Sequence, residues 1–150
     1  MMDKNNYKIK DSYDFQYHRN LFIICLITSI FLILLTVFLK DSLDFIFILF
    51  VPILLGFTIF EGIVLFKMLK DYKNCQFYEA DFTTFHSFIK YHYFVIKINI
   101  DGNEVEKYTR MIFNSLFFSK RNLENFANKK VLIGYNPMKQ KVLTFHVIKD

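Results

Sequence analysis

The sequence predicts a membrane protein of mixed α and β structure: a two-helix transmembrane hairpin followed by a small, mostly antiparallel five-stranded β-domain. Three observations predict this fold class. Two long apolar runs precede Phe66, hydrophobic residues alternate with a period of two after Cys75, and 150 residues suffice for an anchor plus one small domain. Apolar residues make up 53% of the chain and concentrate in its first half. This distribution excludes a plain soluble globule, a disordered chain and a disulfide scaffold.

The first predicted span is Leu21–Leu39, nineteen residues without a charge. As a helix it would be roughly 28 Å long, close to the ~30 Å hydrocarbon core of a bilayer. Its few hydroxyl groups can bond carbonyl oxygens one turn earlier, which lowers their cost in lipid. Residues 1–20 form a polar segment before this span. A cleaved signal peptide is not indicated, because this polar segment is long and no small-residue cleavage site follows the apolar run.

The second predicted span covers residues 43–66 and carries charge only at Asp44 and Glu61. The connection between the spans is three residues long (Lys40, Asp41 and Ser42), so the two helices are expected to be antiparallel. Pro52 lacks a backbone donor and predicts a kink. Residues 67–74 are predicted to extend the helix into the headgroup layer, where lysine side chains snorkel.

Orientation follows from the basic residues near the helix ends, which flank both spans on one side, whereas the connection holds only Lys40. The positive-inside rule therefore predicts that both termini lie in the cytoplasm. The composition, with twenty Phe and no Trp, indicates a low-GC bacterium, so we expect a multi-pass protein of the bacterial cytoplasmic (inner) membrane. Cys25 would lie in the bilayer and Cys75 in the cytoplasm, so no disulfide is expected.

Residues 75–150 are predicted to form the cytoplasmic β-domain. Its clearest strand is residues 91–100, in which Phe94, Ile96, Ile98 and Ile100 face one way. Asp101-Gly102 is typical of a hairpin turn, and residues 104–113 are the expected partner strand. Further strands are expected at 76–85, 131–135 and 142–148, with a short helix at 121–128. An OB-like or partly open barrel would bury one face of this sheet.

The segment Tyr93–Gly102, which ends in Ile-Asp-Gly, and the later Val131–Pro137 segment resemble the bacterial membrane proteins grouped as domain of unknown function 3592. The resemblance covers about half of the chain and implies a small OB-like β-structure beside membrane helices. The chain departs from the family pattern because both predicted spans precede the β-domain. The family brings no catalytic residues to transfer.

No catalytic, cofactor-binding or metal site is indicated by the residue pattern. The four histidines lack the spacing of zinc ligands, and four glycines are too few for a phosphate-binding loop. The sequence therefore predicts no enzyme activity and no cofactor. Glu61 is the one candidate functional side chain in a span, because an intramembrane carboxylate is costly. The competing interpretation is that Glu61 reaches the headgroups or pairs with a lysine such as Lys67.

A candidate surface for anionic lipids consists of basic residues of the β-domain, since each lysine near such a surface contributes about 1 kcal/mol. These residues are Lys120, Arg121, Lys129, Lys130, Lys139 and Lys141. An OB-like fold makes a nucleic-acid surface the rival interpretation, which tethering to a membrane disfavours. Ordinary solubility of the cytoplasmic face is the simplest explanation of these charges.

The predicted function is that of a non-catalytic, membrane-anchored binding or accessory protein. Its expected partners are membrane lipids and either another membrane protein or further copies of itself. The first alternative is an immunity protein that protects the cell against a toxin or bacteriocin, by analogy of size and topology. A further alternative is an oligomeric ion or proton conduit that uses Glu61.

Overall fold

The structure is a computed structural model that describes residues 7–38, 44–88, 91–100, 102–109, 112–113 and 129–147. The predicted helix at 121–128 and the predicted connection at 40–42 lie outside these residues. The chain forms two compact units. One is the helical segment His18–Met68, and the other combines the residues up to Tyr17 with those from Leu69 onward.

Two long helices account for the predicted spans: α1 is Tyr13–Phe38 and α2 is Asp44–Lys73. Both are long and apolar enough to cross a membrane. In the most apolar 18-residue stretch of each helix, only 6% of α1 and 11% of α2 is buried within the protein, whereas the core helix of a soluble protein is mostly buried. Helix α2 continues through Pro52. Within the helical unit α1 and α2 pack at Gly62, where an added Cβ would make an ordinary van der Waals contact of 3.4 Å with the Phe22 ring.

The β-domain is an antiparallel open sheet whose strands follow the order β3-β2-β1-β5-β6, and the short β4 continues the β3 edge against β2. The fold class is thereby confirmed. Among the described residues the two edge strands do not pair with each other, so the sheet does not close into a barrel. The strands are β1 Gln76–Phe88, β2 Tyr91–Ile100, β3 Asn103–Tyr108, β4 Ile112–Phe113, β5 Lys130–Asn136 and β6 Lys141–Val147.

The inner face of the sheet carries one hydrophobic core, which all the main strands except β3 supply. The alternation predicted for β2 is confirmed, because Phe94, Ile96 and Ile98 are buried in this core. Burial of such side chains contributes roughly 1.5–3 kcal/mol each. The other buried members of the core are Ala80, Phe82, Val131, Ile133, Tyr135 and Val142.

The outer face is covered where β1, β5 and β6 meet. Phe77 and Phe145 are fully buried there, with ring centroids 5.0 Å apart. Tyr7 stacks on Phe77, and Tyr72 packs against both phenylalanines. The Tyr72 hydroxyl donates to the carbonyl of Tyr7, which fastens the segment before α1 to the end of α2. Sequence patterns did not reveal that residues 7–17 pack with the β-domain.

The start of α1 occupies the free edge of β6. Ser12 caps the helix by accepting the Phe15 amide, and its hydroxyl donates to the Thr144 carbonyl at 3.0 Å. Asp14 Oδ2 accepts the Thr144 amide at 2.5 Å. The pairing of β5 with β6 shifts register beside Thr144, where Phe145 is the extra residue. Both main-chain groups of Thr144, the edge residue beside this bulge, are therefore bonded by the N-terminal segment.

Candidate functional site

The first candidate site is the pair formed by Glu61 and His18 within the helical unit. The Oε2 atom of Glu61 lies 2.8 Å from Nδ1 of His18, and Glu61 is only 5% exposed. The carboxylate accepts a hydrogen bond from the imidazole N–H, which compensates for its removal from water. The described partner of Glu61 is thus on α1 and is a histidine, whereas the sequence suggested a lysine or the headgroups.

His18 is a residue that the sequence interpretation missed, because it was assigned to the polar segment before the first span. Helix α1 begins at Tyr13, so His18 is already in its second turn. The available signal was the N-cap pattern, in which Ser12 is followed by Asp14 in the first helical turn. Buried Ser29 and Thr58 add to the polar groups of the helical unit. Thr58 donates to the Leu54 carbonyl at 2.9 Å, as hydroxyl groups do in apolar helices.

The basic residues of the predicted lipid surface are divided by the structure into two described pairs. Lys129 and Lys130 are at the start of β5, whereas Lys139 and Lys141 follow its end at Asn136. Strand β5 is seven residues long, from Lys130 to Asn136, so the two pairs lie roughly 20 Å apart at about 3.4 Å per residue. The four lysines therefore do not form one patch. Lys120 and Arg121 lie outside the described residues.

The pair at the end of β5 is fixed to the last turns of α2 by Asp71, which is 1% exposed. Lys139 Nζ lies 2.5 Å from Asp71 Oδ1, and Lys141 Nζ lies 3.9 Å from Oδ2. The side-chain amide of Asn136 donates to the main-chain carbonyl of Asp71 at 3.3 Å. These contacts hold the turn between β5 and β6 against the helix end. Burial raises the pKa of the neighbouring Tyr72 phenol, and Cys75 and Asp11 act in the same direction.

A third candidate site is an aromatic strip on the outer face of β1, β2 and β3, composed of His86, Tyr93 and Tyr108. The His86 and Tyr93 rings stack with centroids 5.4 Å apart, and Tyr93 meets Tyr108 edge-on at 5.7 Å. His86 and Tyr108 are exposed, and Tyr93 is half-buried. Beside the strip, Lys97 and Glu106 approach to 3.9 Å across the strands. The strip presents a preorganised aromatic surface to solvent.

Comparison of the chain with protein-family models, with curated proteins and with solved structures finds no match. The resemblance to the domain of unknown function 3592 family therefore stays a prediction.

Proposed function

We propose that this protein is a non-catalytic, membrane-anchored accessory protein that binds a membrane-protein partner through the aromatic strip. The observation that carries the proposal is that exposed His86 and Tyr108 contact half-buried Tyr93 in one row of rings, whereas the other aromatic side chains described on the sheet are buried or half-buried. Aromatic side chains dominate the energetics of protein interfaces, because they bury a large area at a small cost in conformational entropy. The Lys97–Glu106 pair would form a polar rim.

The two edges of the sheet differ in a way that supports this choice of surface. The β6 edge is occupied by Ser12 and Asp14 of the same chain. The strip ends at Tyr108, on the opposite edge strand β3. A partner on the aromatic strip would therefore find the rings beside a strand edge, which is where extended segments add to sheets.

The proposal includes placement in a bacterial inner membrane, with α1 and α2 crossing the bilayer and the β-domain in the cytoplasm. Their length, apolarity and low internal burial support the crossing. The lysines that follow the second span support the cytoplasmic side for the β-domain.

Site-specific photo-crosslinking in the native membrane tests the proposed binding surface. A photoreactive phenylalanine analogue replaces Tyr93 or Tyr108 in the full chain, and the matched control replaces exposed Lys130 on β5. We expect one abundant membrane protein to be crosslinked from both strip positions and not from the control. Equal crosslinking from all three positions, or none from the strip, would contradict the accessory function.

The two alternatives differ from the proposal in what they require. An immunity protein is needed only when its toxin is present, so deletion should have no effect in the absence of the toxin. A proton conduit should lose conduction on Glu61→Gln, whereas an accessory protein should keep partner binding. The contact of Glu61 with His18 of the same chain gives the carboxylate a structural role that requires no conduction.

A further inference from the structure

The turn between β5 and β6, residues 137–140, combines an exposed apolar tip with basic flanks. Met138 is 81% exposed. Among the described side chains outside the two helices, only Met138 and Tyr108 are large, apolar and exposed. Tyr108 belongs to the aromatic strip, so Met138 is the exposed apolar side chain that the proposed partner surface does not use.

The turn is fixed to the last turns of α2, which follow the predicted span 43–66 in the chain. Asp71 follows Phe66, the last residue of the predicted span, by five positions in one continuous helix. Five helical residues span about 7.5 Å, similar to the ~5–7 Å depth of one headgroup layer. Lys139 and Asn136 both contact Asp71. Met138 lies between these two anchored residues in the chain.

The charges around the turn complement an anionic surface. Lys70 and Lys73 are exposed on the end of α2, and Lys139 and Lys141 are exposed beside Met138. Asp71 pairs with Lys139 and Lys141 and is almost fully buried. Lysine stems pack on apolar surface while their ammonium groups reach phosphate, which suits the interface of a bilayer.

We infer that this turn is a membrane-contact site: Met138 enters the interface, and the surrounding lysines bind anionic phospholipid headgroups of the bilayer that the helices cross. The inference rests on the proposed membrane anchoring and adds a lipid site to it. It also divides the predicted lipid surface, because Lys139 and Lys141 belong to the site whereas Lys129 and Lys130, at the far end of β5, do not.

The absence of tryptophan from the sequence permits a direct test in the full-length protein reconstituted in vesicles. Three single-tryptophan variants are compared: Met138→Trp as the test, Tyr108→Trp as the solvent control, and Phe57→Trp as the bilayer control. All three positions are exposed on the protein, so folding is expected to tolerate the changes. Lipids with brominated chains quench indole fluorescence on contact, and acrylamide quenches it from water.

We expect the Met138→Trp indole to emit at shorter wavelength than the Tyr108→Trp indole and to be quenched at least about twofold more by brominated lipid. Equal behaviour of these two variants, with Phe57→Trp quenched, would overturn the lipid site and leave the anchoring intact. If Phe57→Trp also escapes quenching by lipid, both the anchoring and the lipid site are overturned.

Lipid charge is tested with the same Met138→Trp probe in vesicles with and without phosphatidylglycerol. We expect the anionic lipid to increase quenching, and Lys70→Ser to reduce that increase. The matched control is Lys130→Ser, which removes an exposed lysine at the far end of β5 and should leave the increase unchanged. An equal effect of the two lysine variants would contradict the headgroup contact.

Discussion

Glu61 illustrates how a single polar side chain in an apolar helix finds its partner far away in the sequence. It is 5% exposed and lies 2.8 Å from His18, 43 positions earlier. A buried carboxylate without a donor would lose its hydration without compensation. The imidazole supplies that donor, so the two residues are expected to act as one unit in stabilising the helical pair.

A double-mutant cycle measures this coupling. His18→Ala, Glu61→Ala and the double variant are unfolded reversibly in detergent, and their free energies of unfolding are compared. We expect a coupling energy of roughly 1.5–3 kcal/mol, because hydrogen bonds that involve a charged group contribute about that much. Arg19→Ala, at an exposed position of α1, serves as the control partner for Glu61→Ala. Additive effects of His18→Ala and Glu61→Ala would contradict the pairing.

At this scale the sequence singled out Glu61 but not its partner His18. An acidic residue in an apolar run is visible in the sequence, because its cost in lipid is independent of the fold. The identity of its partner depends on how the two helices are rotated and shifted against each other. Because apolar residues surround each helix on all sides, the sequence does not determine that arrangement. His18 therefore becomes a candidate only when the two helices are placed together.

The β6 strand shows how an element is protected from pairing with other chains. An edge strand exposes unpaired main-chain groups, which promote association with further strands. The register shift beside Thr144 interrupts the ladder, and Asp14 and Ser12 bond the amide and carbonyl of that residue. A helix N-terminus thus replaces a neighbouring strand over one residue of the edge.

Hydrogen exchange tests this protection in the full-length protein. Asp14→Ala removes the acceptor of the buried Thr144 amide, and leaving such a donor unsatisfied costs about 1–3 kcal/mol. Exchange in peptides that cover β6 should therefore accelerate by roughly 5- to 150-fold if local opening controls it. Asp14→Asn keeps an acceptor oxygen and is the matched control, with a smaller expected change. Wild-type exchange in the Asp14→Ala protein would show that this contact does not protect the strand.

Strand positions were predictable to the extent that alternation and turn residues marked them. Residues 91–100 were predicted with the bounds that β2 has, because four alternating apolar residues precede the Asp-Gly turn. Gly102 has φ +87°, the conformation for which glycine is suited. The register shifts at residues 82–84 and beside Thr144 carry no such mark and were not predicted. They depend on packing between strands rather than on local sequence.

At the scale of the whole molecule, the chain combines two helices that are long and apolar enough to cross a membrane with a β-domain. The length of apolar run needed to cross a bilayer identifies the helices in the sequence, and alternation of apolar residues with a period of two identifies the strands. The division into a helical hairpin and a β-domain was therefore predictable from the sequence. The packing of residues 7–17 with the β-domain was not, since it depends on long-range contacts such as Ser12 with Thr144.

Labelling of intact cells tests the proposed topology. One additional cysteine at a time is introduced at Ser42, in the predicted external connection, or at exposed Lys10 or Lys130. A membrane-impermeant maleimide should label Ser42→Cys in whole cells, and it should label the other two variants only after lysis. The unaltered chain, with Cys25 and Cys75, is the blank. Labelling of Lys130→Cys in whole cells would place the β-domain outside and contradict the assignment.

The bonds from Ser12 and Asp14 to Thr144 also determine when the protein can finish folding. The bonded residues are 132 and 130 positions apart, and the ribosome adds roughly 5–20 residues per second. Ser12 therefore waits on the order of 10 s for its partner strand to be synthesised, and both apolar helices are made within that interval. In the proposed topology, both helices are therefore available for insertion before the β6 edge can be completed.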